Sequence, residues 1–246
     1  MRGGRTSKRS WTAGPRSTRS WSSTSRPAKK APPCCITGHG PEHGLDCAAG
    51  HATLALFDTA STMPPPYVIA SLPRLDANAL AYCDFSFDVT AVAVPPFSGN
   101  DIAATVAVAP YRKDYGGGDD LVPEPDGVLL VAHSPAAVDG GSTTVLGYVL
   151  LSRDWTGLAL VDDIAVDRAS RGLGIGRALL DGARDWARAA GLAGLRLETQ
   201  STNVPACRFY ARQGLQLGGA DRLLYAALPG LAHETALFWY QLFAPR

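Results

Sequence analysis

The chain has 246 residues, 46 % of them hydrophobic, which is enough for one sizeable domain with a buried core. No stretch approaches ~18 uninterrupted apolar residues, and the amino terminus has no apolar core followed by a small-residue cleavage site, which argues against a membrane-spanning helix and a secretory leader. The net charge of +1 hides an asymmetry: residues 1–30 hold nine Lys or Arg and no acid, leaving 14 basic and 22 acidic side chains in the rest. An acidic body suits a cationic small molecule better than a nucleic acid.

Residues 1–62 differ in texture from the rest of the chain. Met1 to Lys30 is rich in Arg, Ser and Thr without apolar periodicity, and the segment is read as a disordered or artefactual extension, with the domain covering 63–246 and Met63 as its start. A transit peptide and a basic nucleic-acid-binding arm are the competing readings, and no motif supports either. His39, His43, Cys47 and His51 are spaced by four, but Gly38, Gly40, Pro41, Gly44 and Gly50 oppose a helix there, so no metal site is expected. The five cysteines do not form a disulfide framework: three lie before residue 50, while Cys83 and Cys207 are far apart. A reducing cytoplasm is the expected compartment, with Cys207 a core thiol.

From Met63 onward strand-like and helical segments alternate. Phe85–Val94 and Asp101–Ala109 alternate as strands, and Arg112 to Asp126, with three successive glycines, is expected to be a loop. Gly127–His133 and Val145–Ser152 read as a hairpin, followed by a strand over Gly157–Val166. Helical periodicity covers Ile175 to Ala190, with Ile175, Leu179, Ala183, Trp186 and Ala190 inward and Arg177, Asp181, Arg184, Asp185 and Arg188 outward. A short strand (Leu195–Thr199), a compact helix (Val204–Gln213) and two strands near Leu215–Ala227 and Thr235–Phe243 complete the chain. The class is α/β or α+β, with one mixed sheet.

The informative segment is Leu160 to Leu180, LVDDIAVDRASRGLGIGRALL. A strand ends near Val166, a tight turn runs through Arg171, Gly172, Leu173, Gly174, Ile175 and Gly176, and a helix continues from Arg177. Alternate glycines let successive N–H groups converge without obstruction from β-carbons, and the helix adds its orphan N–H groups and positive dipole end. With Arg171 and Arg177 supplying positive charge, the turn is suited to a pyrophosphate. A Walker loop is excluded by Arg177 and Ala178 where glycine and lysine are needed, and a dinucleotide fingerprint by the missing final glycine.

Arg171-x-x-Gly174-x-Gly176 at a strand-to-helix junction resembles the acetyl-CoA signature of the GNAT superfamily of N-acetyltransferases. The resemblance covers roughly Phe85 to Phe243. VDDI, RGLGIGRALL, LETQSTNVPACRFY, LGGADRLLYAAL and ETALFWY carry it, the last three pointing to the antibiotic-modifying branch that acts on streptothricin-type amines. Asp162-Asp163 stands where that branch usually has Glu-Asp.

The resemblance implies a mostly antiparallel mixed sheet, flanked by helices, whose fourth and fifth strands splay to admit the pantetheine arm of acetyl-CoA. Backbone groups of Ile164, Ala165 and Val166 would bond its amides, as in strand addition. It further implies that Tyr210 is the general acid protonating the CoA thiolate, and that Asn203, a helix cap by sequence, also bonds CoA. A lysine-like amine, with a pKa of ~10.4, must lose a proton before attack, and Asp162, Asp163 and Glu198 are the candidate acceptors, with a water chain as alternative. Strand alternation places Asp162 and Asp163 on opposite faces, and it does not choose among the three. A small-molecule amine is the expected partner, with no nucleic acid, membrane or metal, and a homodimer is left open. A protein or polyamine acceptor, or a CoA-binding module without turnover, are the rival readings.

Overall fold

A computed structural model describes residues 66–97, 100–115, 119–135 and 143–244, all within one compact unit, Ala60–Arg246. The expectations for residues 1–62, including the His and Cys spacing, lie outside the described residues.

The elements in chain order are β1 (Val68–Leu72), a single turn α1 (Ala77–Leu80), β2 (Phe87–Val94), β3 (Ala104–Lys113), β4 (Val128–His133), β5 (Val145–Arg153), β6 (Ala159–Val166), a 3-10 turn (Arg168–Ser170), α2 (Ile175–Ala189), β7 (Gly194–Gln200), α3 (Val204–Arg212), β8 (Gln216–Asp221) and β9 (Ala236–Leu242). Seven strands form one mixed sheet in the order β1-β4-β5-β6-β7-β9-β8, and β2 with β3 forms a separate antiparallel ribbon. Every neighbouring pair in the main sheet is antiparallel except β6 and β7.

Periodicity located most of these elements, and the departures have physical causes. The strand VIASL of β1 and the turn α1 went unassigned: β1 is short and half-exposed, with no clean alternation to read. The strand expected over Asp101–Ala109 is displaced to Ala104–Lys113, because pairing with β2 extends it to Lys113 opposite Phe87. The segment expected to be a loop is mostly one, but Leu121 bridges back to Leu75 through paired backbone hydrogen bonds of 2.9 Å.

The core splits across the sheet. One face carries Val149, Leu151, Val161, Leu197 and Trp239, packed against Ile175, Leu179, Leu180, Ala183 and Ala187 of α2 and against Val204, Cys207 and Tyr210 of α3. The opposite face carries Leu129, Val131 and Tyr148 under Leu75, Leu80 and Phe85. The expected stripe of α2 is shifted by one feature. Arg184 is buried rather than outward, donating to Gln241 Oε1 (2.7 Å), to the Gln213 carbonyl (2.7 Å) and to Asp181 Oδ1 (2.5 Å). A guanidinium can be buried when its donors are this fully matched, and here it ties α2 to the end of α3 and to β9.

Candidate active site

The site begins at the single parallel pair. β6 and β7 are joined only through Ala159 to Val161, opposite Leu195 to Leu197. Just beyond, β6 carries a bulge: Leu151 pairs with Val161 and Leu150 with Asp163, so Asp162 is an extra residue. A bulge bends its strand and ends regular pairing, and from here the fourth and fifth strands of the sheet diverge as the resemblance implied. The bulge also breaks the alternation on which opposite faces for Asp162 and Asp163 were expected. Asp163 shares the sheet face of Tyr148 and Leu150.

The divergence opens a cleft of about 610 Å³. Asp163, Ile164, Ala165 and Val166 form one wall, the Arg171–Arg177 turn closes one end, and Asn203, Phe209, Tyr210 and Arg212 of the α3 segment face them. Charges of both signs line it: Arg171 and Arg177 belong to the glycine turn and Arg212 to α3, whereas Asp163 lies on β6 and Asp114 follows β3. The cations suit phosphates, and the carboxylates suit an ammonium group.

At the turn, Gly172 and Gly174 both have φ of +84°, the left-handed region that an L side chain enters only with strain. Gly174 is the N-cap of α2 and no side chain caps it, so the first N–H groups of a 15-residue helix open toward the cleft. Gly176 serves differently. It lies inside the helix, where a β-carbon would come within 3.2 Å of Phe209 Cζ, so it permits close approach of α3. Arg171 is held in place, because its Nε donates to the Val166 carbonyl and its Nη2 to the Phe85 carbonyl, each at 3.1 Å. Desolvation lowers its pKa, as expected for a cation held among backbone groups. Arg177 is the exposed, adaptable cation, 3.7 Å from Asp181. Leu173 is half-exposed and outside the cleft lining.

Along the β6 wall, the Asp167 N–H donates to the Leu146 carbonyl at 2.9 Å. With Val166 opposite Gly147 and Ala165 opposite Tyr148, antiparallel alternation turns the backbone groups of Ala165 toward β5 and those of Ile164 and Val166 toward the cleft. Two of the three expected pantetheine contacts therefore face the cleft through their backbone, and Ala165 lines it by its side chain.

The proton-transfer candidates separate clearly. Tyr210, on α3, is buried and lines the cleft, its ring 6.1 Å from Trp239 and 5.5 Å from Phe209. Burial, then the neighbouring Cys207, Tyr115 and Asp163, push its phenol above the ordinary value. Asp163 is open to the cleft but surrounded by protein, so desolvation raises its pKa, while the Tyr148 hydroxyl (2.7 Å to Oδ2) and the Ile164 N–H pull it down. Asp162 and Glu198 do not line the cleft. Glu198 accepts a short hydrogen bond from the buried Tyr225, whose own pKa is raised by burial and by that bond. Asn203 caps α3, accepting from the Ala206 N–H (3.2 Å), and its Nδ2 donates to the Tyr115 hydroxyl (3.4 Å). Cys207 is fully buried, and burial pushes its thiol to about 12, which suits a core thiol.

Several lining residues were not foreseen: Tyr148, Tyr115, Phe85 and Phe87. Single aromatics in strands or loops carry no local signal for a site, and only register brings Tyr148 to Asp163. Also unforeseen is a buried ion pair outside the cleft. Lys113 Nζ lies 2.5 and 2.6 Å from the two oxygens of Glu234 and within reach of Gln200 Oε1 (3.2 Å) and Thr202 Oγ1 (3.3 Å), pinning the ribbon to the sheet. Among the described residues there is no cluster of three or more potential metal ligands, and no helix is long and apolar enough to cross a membrane.

A splayed mixed sheet with a glycine turn at a helix N-terminus is the architecture that the resemblance to N-acetyltransferases implied, and residues 99–215 match the Acetyltransferase (GNAT) family. The chain belongs to that family. It is 39 % identical over 137 residues to the streptothricin acetyltransferase of Escherichia coli, an alignment spanning 56 % of this chain and 74 % of the relative. Its fold is similar to the nourseothricin acetyltransferase structure, with a TM-score of 0.58, 30 % identity and coverage of 72 % and 98 %. A Bacillus anthracis structure described as a streptothricin acetyltransferase in complex with acetyl coenzyme A gives a TM-score of 0.58 and 29 % identity, covering 72 % of this chain and 99 % of that one.

Proposed function

We propose that this acetyltransferase moves the acetyl group of acetyl-CoA to an amine of a streptothricin-type antibiotic. The observation that carries the reading is one cleft lined both by a cationic glycine turn and by Asp163 and Tyr210, close enough for the carboxylate to influence the phenol. The three relatives named above support this acceptor, being called streptothricin or nourseothricin acetyltransferases, and one of those structures holds acetyl-CoA.

The residues fit acetyl-CoA. The left-handed Gly172 and Gly174 and the uncapped start of α2 form an anion cradle with Arg177. With the Val166 carbonyl bonded to Arg171 and the Ile164 N–H to Asp163, the Ile164 carbonyl and the Val166 N–H are the edge groups suited to an extended chain, and Asn203 lines the cleft from the α3 side. Bound there, acetyl-CoA supplies an activated acyl group. Asp163 takes the proton of the bound ammonium, directly or through water, so that the neutral amine attacks the thioester carbonyl. As the new C–N bond forms and the C–S bond breaks, Tyr210 gives its proton to the sulfur and regains one from the amine through solvent. Its raised pKa keeps it protonated at neutral pH.

The test is mass spectrometry of streptothricin after incubation with acetyl-CoA. Gain of one acetyl group on the β-lysine amine supports the reading, and an unmodified antibiotic alongside an acetylated peptide or polyamine overturns it.

A further inference from the structure

Asp163 arrives at the splay with a partner that sequence patterning did not reveal. Tyr148 lies on β5, buried, its ring edge-on to Phe85 at 5.5 Å, and its hydroxyl donates to Asp163 Oδ2 at 2.7 Å. Both residues line the cleft on the same sheet face, and the bulge at Asp162 brings them together by setting Asp163 opposite Leu150 and Ala165 opposite Tyr148.

We propose that Tyr148 is the positioning residue for the acceptor amine, fixing one oxygen of Asp163 so that the other is presented to the incoming ammonium. The inference rests on the assignment of Asp163 as the base. A carboxylate on a bulged strand edge can turn about its terminal torsion. A phenol anchored in the core removes that freedom, and as a donor it also favours the ionised carboxylate. Tyr148 is suited to donating rather than ionising: burial and the Asp163 charge both raise its pKa. Cys83 interacts with the Tyr148 phenol and Tyr210 from α3 with Asp163, and the same cleft is lined by Asp114 and Tyr115 after β3, Arg171 and Arg177 of the turn and Arg212 of α3. Arg171 is bonded to two backbone carbonyls, and at Asp163 desolvation raises the pKa while the Tyr148 hydroxyl and the Ile164 N–H are the donors that pull it back toward the ionised form.

Tyr148→Phe keeps the ring and its packing and removes only the donor. The experiment is a ¹³C-carboxyl titration of Asp163 in the whole chain, its resonance identified by loss in Asp163→Asn, beside the pH profile of kcat with both substrates saturating. In Tyr148→Phe the Asp163 midpoint rises by roughly one pH unit, the acid limb of kcat moves up with it, and KM for acetyl-CoA stays within about twofold. An unmoved titration in a folded variant overturns the positioning role alone. Full turnover in Asp163→Asn overturns the base assignment and, with it, any catalytic purpose for Tyr148.

Discussion

Replacing Tyr210 by Phe separates an acid role from a packing role. The residue is 6 % exposed, and its ring is held by Trp239 and Phe209, contacts that Phe retains. Removing one hydroxyl changes stability by about 1.5 kcal/mol at most, small beside the 5–15 kcal/mol typical of a domain. The folded population therefore stays near unity and cannot account for a large rate loss. General acid catalysis contributes ~10²–10⁴ in rate, or roughly 2.7–5.4 kcal/mol of barrier at 1.36 kcal/mol per decade. The expectation is a fall in kcat within that range, with KM for acetyl-CoA changed little. Because burial raises the phenol above ~10, it is the protonated form that works at neutral pH, and its loss of a proton sets the high-pH arm of kcat. That arm flattens in Tyr210→Phe. Continuous detection of released CoA thiol reads both quantities. Wild-type kcat with both arms intact would remove Tyr210 from the mechanism and leave Asp163 and solvent to handle both protons.

Gly174→Ala forces a β-carbon into φ +84° at the mouth of α2, where the nearest atom, the Tyr67 hydroxyl, is an unstrained 3.5 Å away. The cost is therefore backbone strain of ~1–2 kcal/mol, and KM for acetyl-CoA should rise about tenfold while acceptor KM holds; unchanged cofactor affinity contradicts the cradle. Lys113→Met leaves the buried Glu234 without its cation, which costs ~3–5 kcal/mol and lowers Tm by about 6 °C or more; a calorimetric scan matching the parent refutes that accounting. A chain beginning at Met63 should keep full activity and Tm, because residues 1–62 carry no core-forming pattern, and substantial loss of either places the domain boundary elsewhere.

What could be read from sequence was what periodicity and punctuation encode. The helix α2, the strands from β4 onward and the glycine turn announce themselves through apolar spacing and local breakers. The glycine turn with Gly172 and Gly174 is legible to the same depth, whereas the role given to Tyr210 rests on the family resemblance rather than on patterning. What stayed hidden depends on register and long-range packing. The bulge at Asp162 is one extra residue in the β5–β6 ladder, yet it falls where the β6–β7 pairing stops and sets Asp163 rather than Asp162 along the cleft. Tyr148 is separated from Asp163 by 15 residues and meets it only through the β5–β6 register. Lys113 and Glu234 are 121 residues apart, and nothing local marks either as buried. Arg184 has the spacing of a surface cation, and its burial comes from three acceptors on other parts of the chain or the adjacent turn.

The most direct test of the central claim is thiol release from acetyl-CoA by the purified protein against a panel of streptothricin, spermidine, free lysine and a peptide with a free amino terminus. The account predicts release coupled to amine acetylation, with kcat/KM for streptothricin at least ~100-fold above the others, a preference of about 2.7 kcal/mol. Folded protein that releases no thiol with any amine, or that prefers the peptide or spermidine, contradicts it.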